Sequence, residues 1–155
     1  HDVPSDIPLV LDAAAMHEEP ARAPTDAPVV LTPHDGEFRK LFAGLEDDRR
    51  AGAVRAAVAR QAIVVLKGAE TLIAAPDGRK VTNTHASPYL AKAGTGDVLA
   101  GLLAGLIAPG MPAFEAACAA AWLHGEAGRR IGPGLVSGDI EAQVPAILAG
   151  LLPDQ

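Results

Sequence analysis

Short apolar runs alternate with longer amphipathic stretches along this chain. Leu9-Val10-Leu11 closes on the carboxylate of Asp12, and Val29-Val30-Leu31-Thr32 repeats that arrangement after a proline-rich connection. Both read as buried strands with polar ends. Ile63-Val64-Val65-Leu66-Lys67 is the cleanest run, apolar on both faces as in the interior of a parallel sheet, and Gly68 ends it. Segments 71–75 and 80–84 flank Pro76-Asp77-Gly78-Arg79, whose turn chemistry suits an antiparallel hairpin. Helical spacing covers 35–42, with Asp35 as the expected N-cap and Gly44 as the stop. A second helix is expected over about 47–61, where Asp47 and Asp48 suit the positive end of the helix dipole and Arg60 the negative end. Gly94-Thr95-Gly96-Asp97 opens an apolar run over 98–108, and Pro112 leads into an alanine-rich helix of about 113–130 that Gly132-Pro133-Gly134 stops. Asp139 is placed to cap a last helical segment, which Pro145 is expected to break or kink.

Strands alternating with helices predict an α/β fold, a mostly parallel sheet flanked by helices with one antiparallel hairpin. Ligands of such sheets lie beyond the carboxyl ends of the strands, which directs Asp12, Thr32 to His34, and Lys67-Gly68 toward one crevice. A length of 155 residues excludes two full domains and allows one, or part of a larger one. With 49% hydrophobic and 21% charged residues the chain reads as globular, and because only 3% are aromatic, Ala, Val, Leu and Ile must fill the core. The net charge of −6 excludes the broad basic face that nucleic-acid binding requires. Apolar stretches fall short of the ~18–20 residues of a membrane span, so no membrane partner is expected. The single Cys118 excludes an internal disulfide and a multi-cysteine zinc site, and it fits a reducing, cytoplasmic setting. Its neighbours at helical spacing, Phe114, Ala121 and Trp122, make it a core residue.

The sharpest chemical feature is Ala93-Gly94-Thr95-Gly96-Asp97-Val98-Leu99-Ala100-Gly101. Glycines let backbone amides at a helix start close on an anion, so Gly94, Thr95 and Gly96 form a candidate anion hole. A carboxylate beside it repels phosphate but is well placed to take a proton from a hydroxyl attacking that phosphate, which points to phosphoryl transfer with Asp97 as base. The alternative is a glycine turn with Asp97 as N-cap. No Gly-Lys-Ser/Thr follows, so the segment is not a P-loop, and its spacing is not the dinucleotide fingerprint. In Thr32-Pro33-His34-Asp35-Gly36-Glu37, polar groups leave a buried strand just before a helix whose amides can also take an anion. His34 is either a contact to substrate or a capping residue. Glu37 either touches a metal-bound water or is an ordinary first-turn acid. Lys67 at a strand end either compensates phosphate charge or snorkels. His85 and His124 belong to no metal-ligand spacing and receive no role.

Taken in order, Val10-Leu11-Asp12, Leu31-Thr32-Pro33-His34-Asp35-Gly36-Glu37, Leu66-Lys67-Gly68 through Thr71, and Ala93 to Gly101 resemble the ADP- or ATP-dependent NAD(P)H-hydrate dehydratases of the ribokinase-like superfamily. The resemblance runs over nearly the whole chain, residues 1–155, which looks like the C-terminal part of a single ribokinase-like domain. It implies a cofactor-repair lyase that phosphorylates the hydroxyl of the S epimer of hydrated NADH or NADPH and then eliminates phosphate. Asp97 would be the base, and Gly94, Thr95 and Gly96 the anion hole. His34 and Asp97 would touch the hydrate. Lys67, Gly68, Ala69, Glu70, Thr71 and Gly96 would border the ADP or ATP, with Mg2+ shared among phosphate oxygens and water. Asp12, Gly36, Glu37 and Asn83 are further candidates. A homo-oligomer and a fused or separate epimerase domain are also implied. The chain departs from the family pattern at Ala14, where a second Asp is common, and over 83–93, which carries Lys92. A kinase of the same superfamily acting on a vitamin-precursor alcohol, or a non-catalytic nucleotide-binding module, are the alternative readings.

Overall fold

Successive side chains of a strand point to opposite faces, so runs apolar at every position require a helical layer on each side of the sheet. The computed structural model describes residues 6–17, 27–45 and 48–151 and shows both layers. Strands β1 (Leu9–Leu11), β2 (Val29–Leu31), β3 (Ile63–Leu66), β4 (Thr71–Ala74) and β5 (Lys80–Asn83) form one sheet in that spatial order. The first three run parallel, with Val10 opposite Val30 and Val30 opposite Ile63. β3–β4 and β4–β5 are antiparallel. The α/β class and the hairpin stand as expected. A second antiparallel pairing joins them because residues 67–70 are too few for the crossover that a parallel neighbour needs.

Helices α1 (Asp35–Leu41) and α2 (Arg49–Arg60) cover one face, where Phe38, Phe42, Ala53 and Ala57 pack on Leu31, Val64, Leu66 and Leu72. Helices α3 (Thr95–Ile107) and α4 (Ala113–Ile131) cover the other, with Leu99, Leu103, Phe114 and Ala120 against Val30, Val65 and Ile73. Helix α5 (Ser137–Ala149) lies outside them, burying Ile140 and Ile147 against Leu123 and Ala127. Alanines do the work of the scarce aromatics by letting helix and sheet backbones approach closely. Ala56, Ala57, Ala116 and Ala120 are fully buried. Gly125 serves the same end, since a Cβ there would collide with the carbonyl of His85. Cys118 is half-buried against the α3–α4 cluster, and burial, then the Glu115 charge, pushes its thiol above its ordinary range, as a core residue requires.

Several element ends differ from the sequence reading. The N-cap of α1 is His34, not Asp35, and the helix ends at Leu41, so Gly44 belongs to the turn beyond it. Asp48 caps α2 by accepting from the amides of Arg50 and Ala51, while Asp47 lies outside the described residues. Asp139 sits in the first turn of α5, where it accepts from the Val136 amide at 2.9 Å. That helix runs through Pro145 to Ala149 without a break. The hydrogen bond that proline cannot donate would have gone to the Glu141 carbonyl, and both residues are exposed, so the loss falls on the solvent side of the helix. Among the described residues no helix is long and apolar enough to cross a membrane.

Candidate active site

Parallel strands end at one edge of the sheet, and there the three expected strand ends meet. The Lys67 ammonium donates to Asp12 Oδ1 at 2.9 Å, and the Thr32 hydroxyl donates to the same oxygen at 2.8 Å, with the Leu11 carbonyl 3.2 Å away. The Lys67 amide donates to the Pro33 carbonyl at 2.8 Å, which extends β2–β3 pairing by one bridge and sets His34 beside Lys67. The Asp12 and Lys67 side chains are 16% and 19% exposed, so the pair is largely desolvated. Burial by itself raises the Asp12 carboxyl, but the Lys67 and Thr32 hydrogen bonds, the Lys67 charge and the Ala13 amide outweigh it and hold the carboxyl below its ordinary value. Asp12 therefore stays ionised and keeps Lys67 in place.

The start of α3 projects onto this pair. An ideal Cβ on Gly96 would lie 3.1 Å from Lys67 Nζ, so the ammonium stands at the helix opening. Gly94, with φ +83°, makes the left-handed turn into the helix and is its N-cap, which rules out that role for Asp97. The Thr95 hydroxyl is turned inward, donating toward the carbonyls of Leu90 at 2.7 Å and Lys92 at 2.8 Å, and the Thr95 amide leans on the Lys92 carbonyl at 3.4 Å. No acceptor among the described residues meets the amides of Gly96 and Asp97. Asp97 follows in the first turn, exposed and without a partner among the described residues. Free amides, a cation and an unpaired carboxylate thus share one helix opening.

The start of α1 is closed. His34 Nδ1 accepts from the amides of Gly36 at 2.9 Å and Glu37 at 3.2 Å, and Glu37 Oε2 accepts from the His34 amide at 2.8 Å. This reciprocal cap consumes the donors that the sequence offered to an anion and engages Glu37 in holding the turn. Because Nδ1 accepts from amides, the proton of the neutral ring is on Nε2, 3.6 Å from Glu37 Oε1. The His34 ring remains 60% exposed and lines the cavity described next.

A cavity of about 860 Å³ lies over these openings. Of the predicted residues, His34, Gly36, Lys67, Gly68, Ala69 and Thr71 line it from the sheet edge, and Asn83, Thr95 and Gly96 from the far side. Asp12 supports it from beneath through Lys67. Glu37, Glu70, Gly94 and Asp97 are not part of its wall. Glu70 points to Arg50 at 3.3 Å, and the Asn83 amide oxygen accepts from the His85 amide at 3.1 Å. Lys92, left open by the sequence, lines the cavity and donates to the Leu135 carbonyl at 2.8 Å, tying the loop before α3 to the segment before α5. Ala14 lies exposed in a short 3-10 helix (Ala13–Met16) just after Asp12.

Two residues to which the sequence gives no role belong to this site. Arg49 spreads its guanidinium over Asp35 Oδ1 at 2.8 Å, the Lys67 carbonyl at 3.1 Å and the Glu70 carbonyl at 3.3 Å, and so shapes the 67–70 turn. Gly68 makes room for it, since a Cβ there would collide with the guanidinium. His124 is buried in the cavity wall. Nothing in the local sequence marks either one: Arg49 looks like any first-turn helix residue, and its partners lie 14 to 21 positions away.

Residues 3–136 match the family model described as NAD(P)H-hydrate dehydratase. The chain is 40% identical over 158 positions to the ADP-dependent (S)-NAD(P)H-hydrate dehydratase of Neisseria meningitidis serogroup B, an alignment covering 96% of this chain and 50% of that one. It is 41% identical over 150 positions to the bifunctional NAD(P)H-hydrate repair enzyme Nnr of Gloeobacter violaceus, covering 94% and 29%. Its backbone follows the ADP/ATP-dependent NAD(P)H-hydrate dehydratase of Bacillus subtilis, crystallised with ATP and magnesium and soaked with CoA, with a TM-score of 0.87 at 31% identity over 94% of this chain and 57% of that one. A ribokinase-like superfamily protein of Enterococcus faecalis matches with a TM-score of 0.79 at 28% identity over 91% and 52%. The chain spans about half the length of the dehydratases it matches. The fold is accordingly that of the ribokinase-like superfamily, and by its sequence the chain belongs to the NAD(P)H-hydrate dehydratase family.

Proposed function

We propose that the complete protein returns the S epimer of hydrated NADH or NADPH to the working cofactor, with ADP or ATP as phosphoryl donor. The observation that carries this reading is the α3 opening, where the Gly96 and Asp97 amides are free and the Lys67 ammonium stands against Gly96 at the cavity wall, with Asp97 following in the same first turn. Hydroxide is a poor leaving group and phosphate a good one, so the hydrate's hydroxyl is first made into a phosphate ester. Asp97 takes the hydroxyl proton as the oxygen attacks the terminal phosphorus, and AMP or ADP departs. The amides and Lys67 meet the charge spread over the transferring phosphoryl oxygens, while Asp12 keeps Lys67 aimed there. Phosphate then leaves the ring carbon, a proton leaves the adjoining carbon, and the ring double bond forms.

Loop 67–71, held by Arg49, borders the nucleotide, and His34 offers its Nε2 proton to the hydrate. Magnesium would shield the phosphate charges. It fits as an ion carried on phosphate oxygens and water, because no three His, Cys, Asp or Glu converge on a metal site among the described residues and Asp12 Oδ1 already serves Lys67 and Thr32. The family and the relatives' names support the substrate, and the bifunctional relatives support a companion epimerase activity, fused or separate. We place residues 1–155 in the C-terminal part of one catalytic domain of a cytoplasmic, homo-oligomeric enzyme.

Incubation of the complete protein with hydrated NADPH, magnesium and either ADP or ATP is expected to restore the reduced-nicotinamide absorbance and release inorganic phosphate one for one. A stable phosphate ester without recovery would identify a kinase for another alcohol. Nucleotide binding with no turnover of any hydroxyl substrate would leave only a binding module.

A further inference from the structure

One buried ionisable side chain opens on the same cavity without a part in the reading above. His124, in the middle of α4, is 9% exposed and places Nε2 2.9 Å from the carbonyl oxygen of Thr95. A carbonyl only accepts, so Nε2 carries the proton and Nδ1 is a lone pair. Nδ1 has no partner among the described residues. None of their side-chain nitrogens or oxygens in residues short of full exposure is both sealed from solvent and unpaired, so Nδ1 is reached by solvent, and the cavity is the opening that His124 lines. Burial, helped by the Lys67 charge and opposed by the Thr95 bond, pushes the ring's pKa down to about 4, so the imidazole is neutral when the protein works.

We propose that His124 is a ligand-contacting residue of this cavity whose Nδ1 accepts a hydrogen bond from an O–H or N–H donor of a bound nucleotide, while its Nε2 fixes the Thr95 carbonyl at the α3 opening. The inference rests on the nucleotide reading of the cavity. A neutral acceptor is repelled by phosphate oxygens, which carry no proton at neutral pH, so His124 faces a ribose hydroxyl or a base amine. Phosphates go to Gly96 and Lys67, where the donors are. The two contacts therefore set the direction in which a nucleotide lies. Leu99 and Ala121, which share the His124 wall, supply apolar surface for a sugar or base and none for a phosphate.

The test uses the complete protein labelled with 15N-histidine, observed alone, with ADP, and with NADPH. Without ligand, His124 is expected in the Nε2–H form and neutral from about pH 5 to 8. A bound donor is expected to move the Nδ1 resonance upfield and leave Nε2 in place, and the arm in which this happens identifies which nucleotide supplies the donor. His124→Phe, which keeps a ring and loses both hydrogen bonds, is expected to raise the dissociation constant of that nucleotide roughly tenfold. If the wild-type protein binds either nucleotide and Nδ1 does not move in either arm, or if His124 carries its proton on Nδ1, the inference fails while the nucleotide reading stands. If neither nucleotide binds, both fall. The wild-type spectrum decides the matter even where the Phe variant fails to fold.

Discussion

Two helices begin at this crevice, each after a polar turn, and only one of them is open to an anion. At α1 the cap residue brings its own acceptor: His34 Nδ1 takes the amides of Gly36 and Glu37, and Glu37 returns the bond. At α3 the cap residue is Gly94, which has no side chain, and the Gly96 and Asp97 amides meet no acceptor among the described residues. The dipole of a helix start is much the same in both, so the difference lies in the satisfaction of the first-turn donors. A helix start can take a phosphate where its cap leaves the donors unmet, as Gly94 does here for lack of a side chain.

The largest effect is expected from Asp97→Asn, which leaves the shape of the α3 opening and removes the carboxylate proposed as its base. Turnover of the hydrate should fall by about 10²–10⁴-fold. Binding of ADP, followed by calorimetry, should hold or tighten because a negative charge beside the phosphates is gone. Unchanged turnover would make the α3 opening as inert as that of α1 and erase the contrast.

Lys67→Met comes next. It strips a largely buried carboxylate of its cation, and the loss of stability is expected to be about 1–3 kcal/mol. The pH dependence gives the sign. In the wild type the Asp12 carboxyl is held below its unfolded value, so its contribution is fully present above the unfolded value near ~3.9 and is lost as the pH falls through the lower folded value. In the variant burial acts with less opposition and the carboxyl rises. The gap between the two melting temperatures should therefore narrow as the pH falls from the variant's higher carboxyl value toward the wild type's lower one. A gap that stays constant into acid would mean that Asp12 does not depend on Lys67.

Much of this site is visible in the sequence because parallel strands deliver their carboxyl ends to one edge. Apolar runs ending in Asp12, Thr32 and Lys67 were enough to predict one crevice, and the 2.8–2.9 Å contacts among them are that prediction realised. Local glycine and proline chemistry likewise located the 75–79 turn and the α3 opening. What local pattern cannot decide is which of two adjacent acceptors caps a helix, as His34 and Asp35 show, or whether a proline interrupts a helix whose affected carbonyl faces water, as at Pro145. Least visible are contacts between residues far apart in sequence, each unremarkable where it stands: Arg49 with Lys67, 18 positions apart, and His124 with Thr95, 29 apart.

Arg49 predicts an intermediate effect. Arg49→Met should raise KM for the nucleotide several-fold with little change in kcat, since the guanidinium touches two carbonyls of the 67–70 turn and none of the reacting groups. Arg49→Lys should not restore it, because an ammonium cannot span the three acceptors that the fork reaches. A loss confined to kcat would instead bring Arg49 into the chemistry.

The smallest effect separates the capping duty of His34 from the substrate contact proposed for it. His34→Ala removes the acceptor for two first-turn amides and should lower stability by about 1 kcal/mol. His34→Asn supplies a side-chain oxygen for those amides and should recover most of it. The substrate-facing end does not return with Asn, because the cap fixes the ring's proton on Nε2 at the far end of the imidazole, whereas the shorter Asn side chain holds its NH2 donor close beside the capping oxygen. The Asn variant is thus expected to melt near the wild type yet keep a raised KM for the hydrate. If melting temperature and KM recover together, the ring is a cap and nothing more, and the α1 opening takes no part in binding.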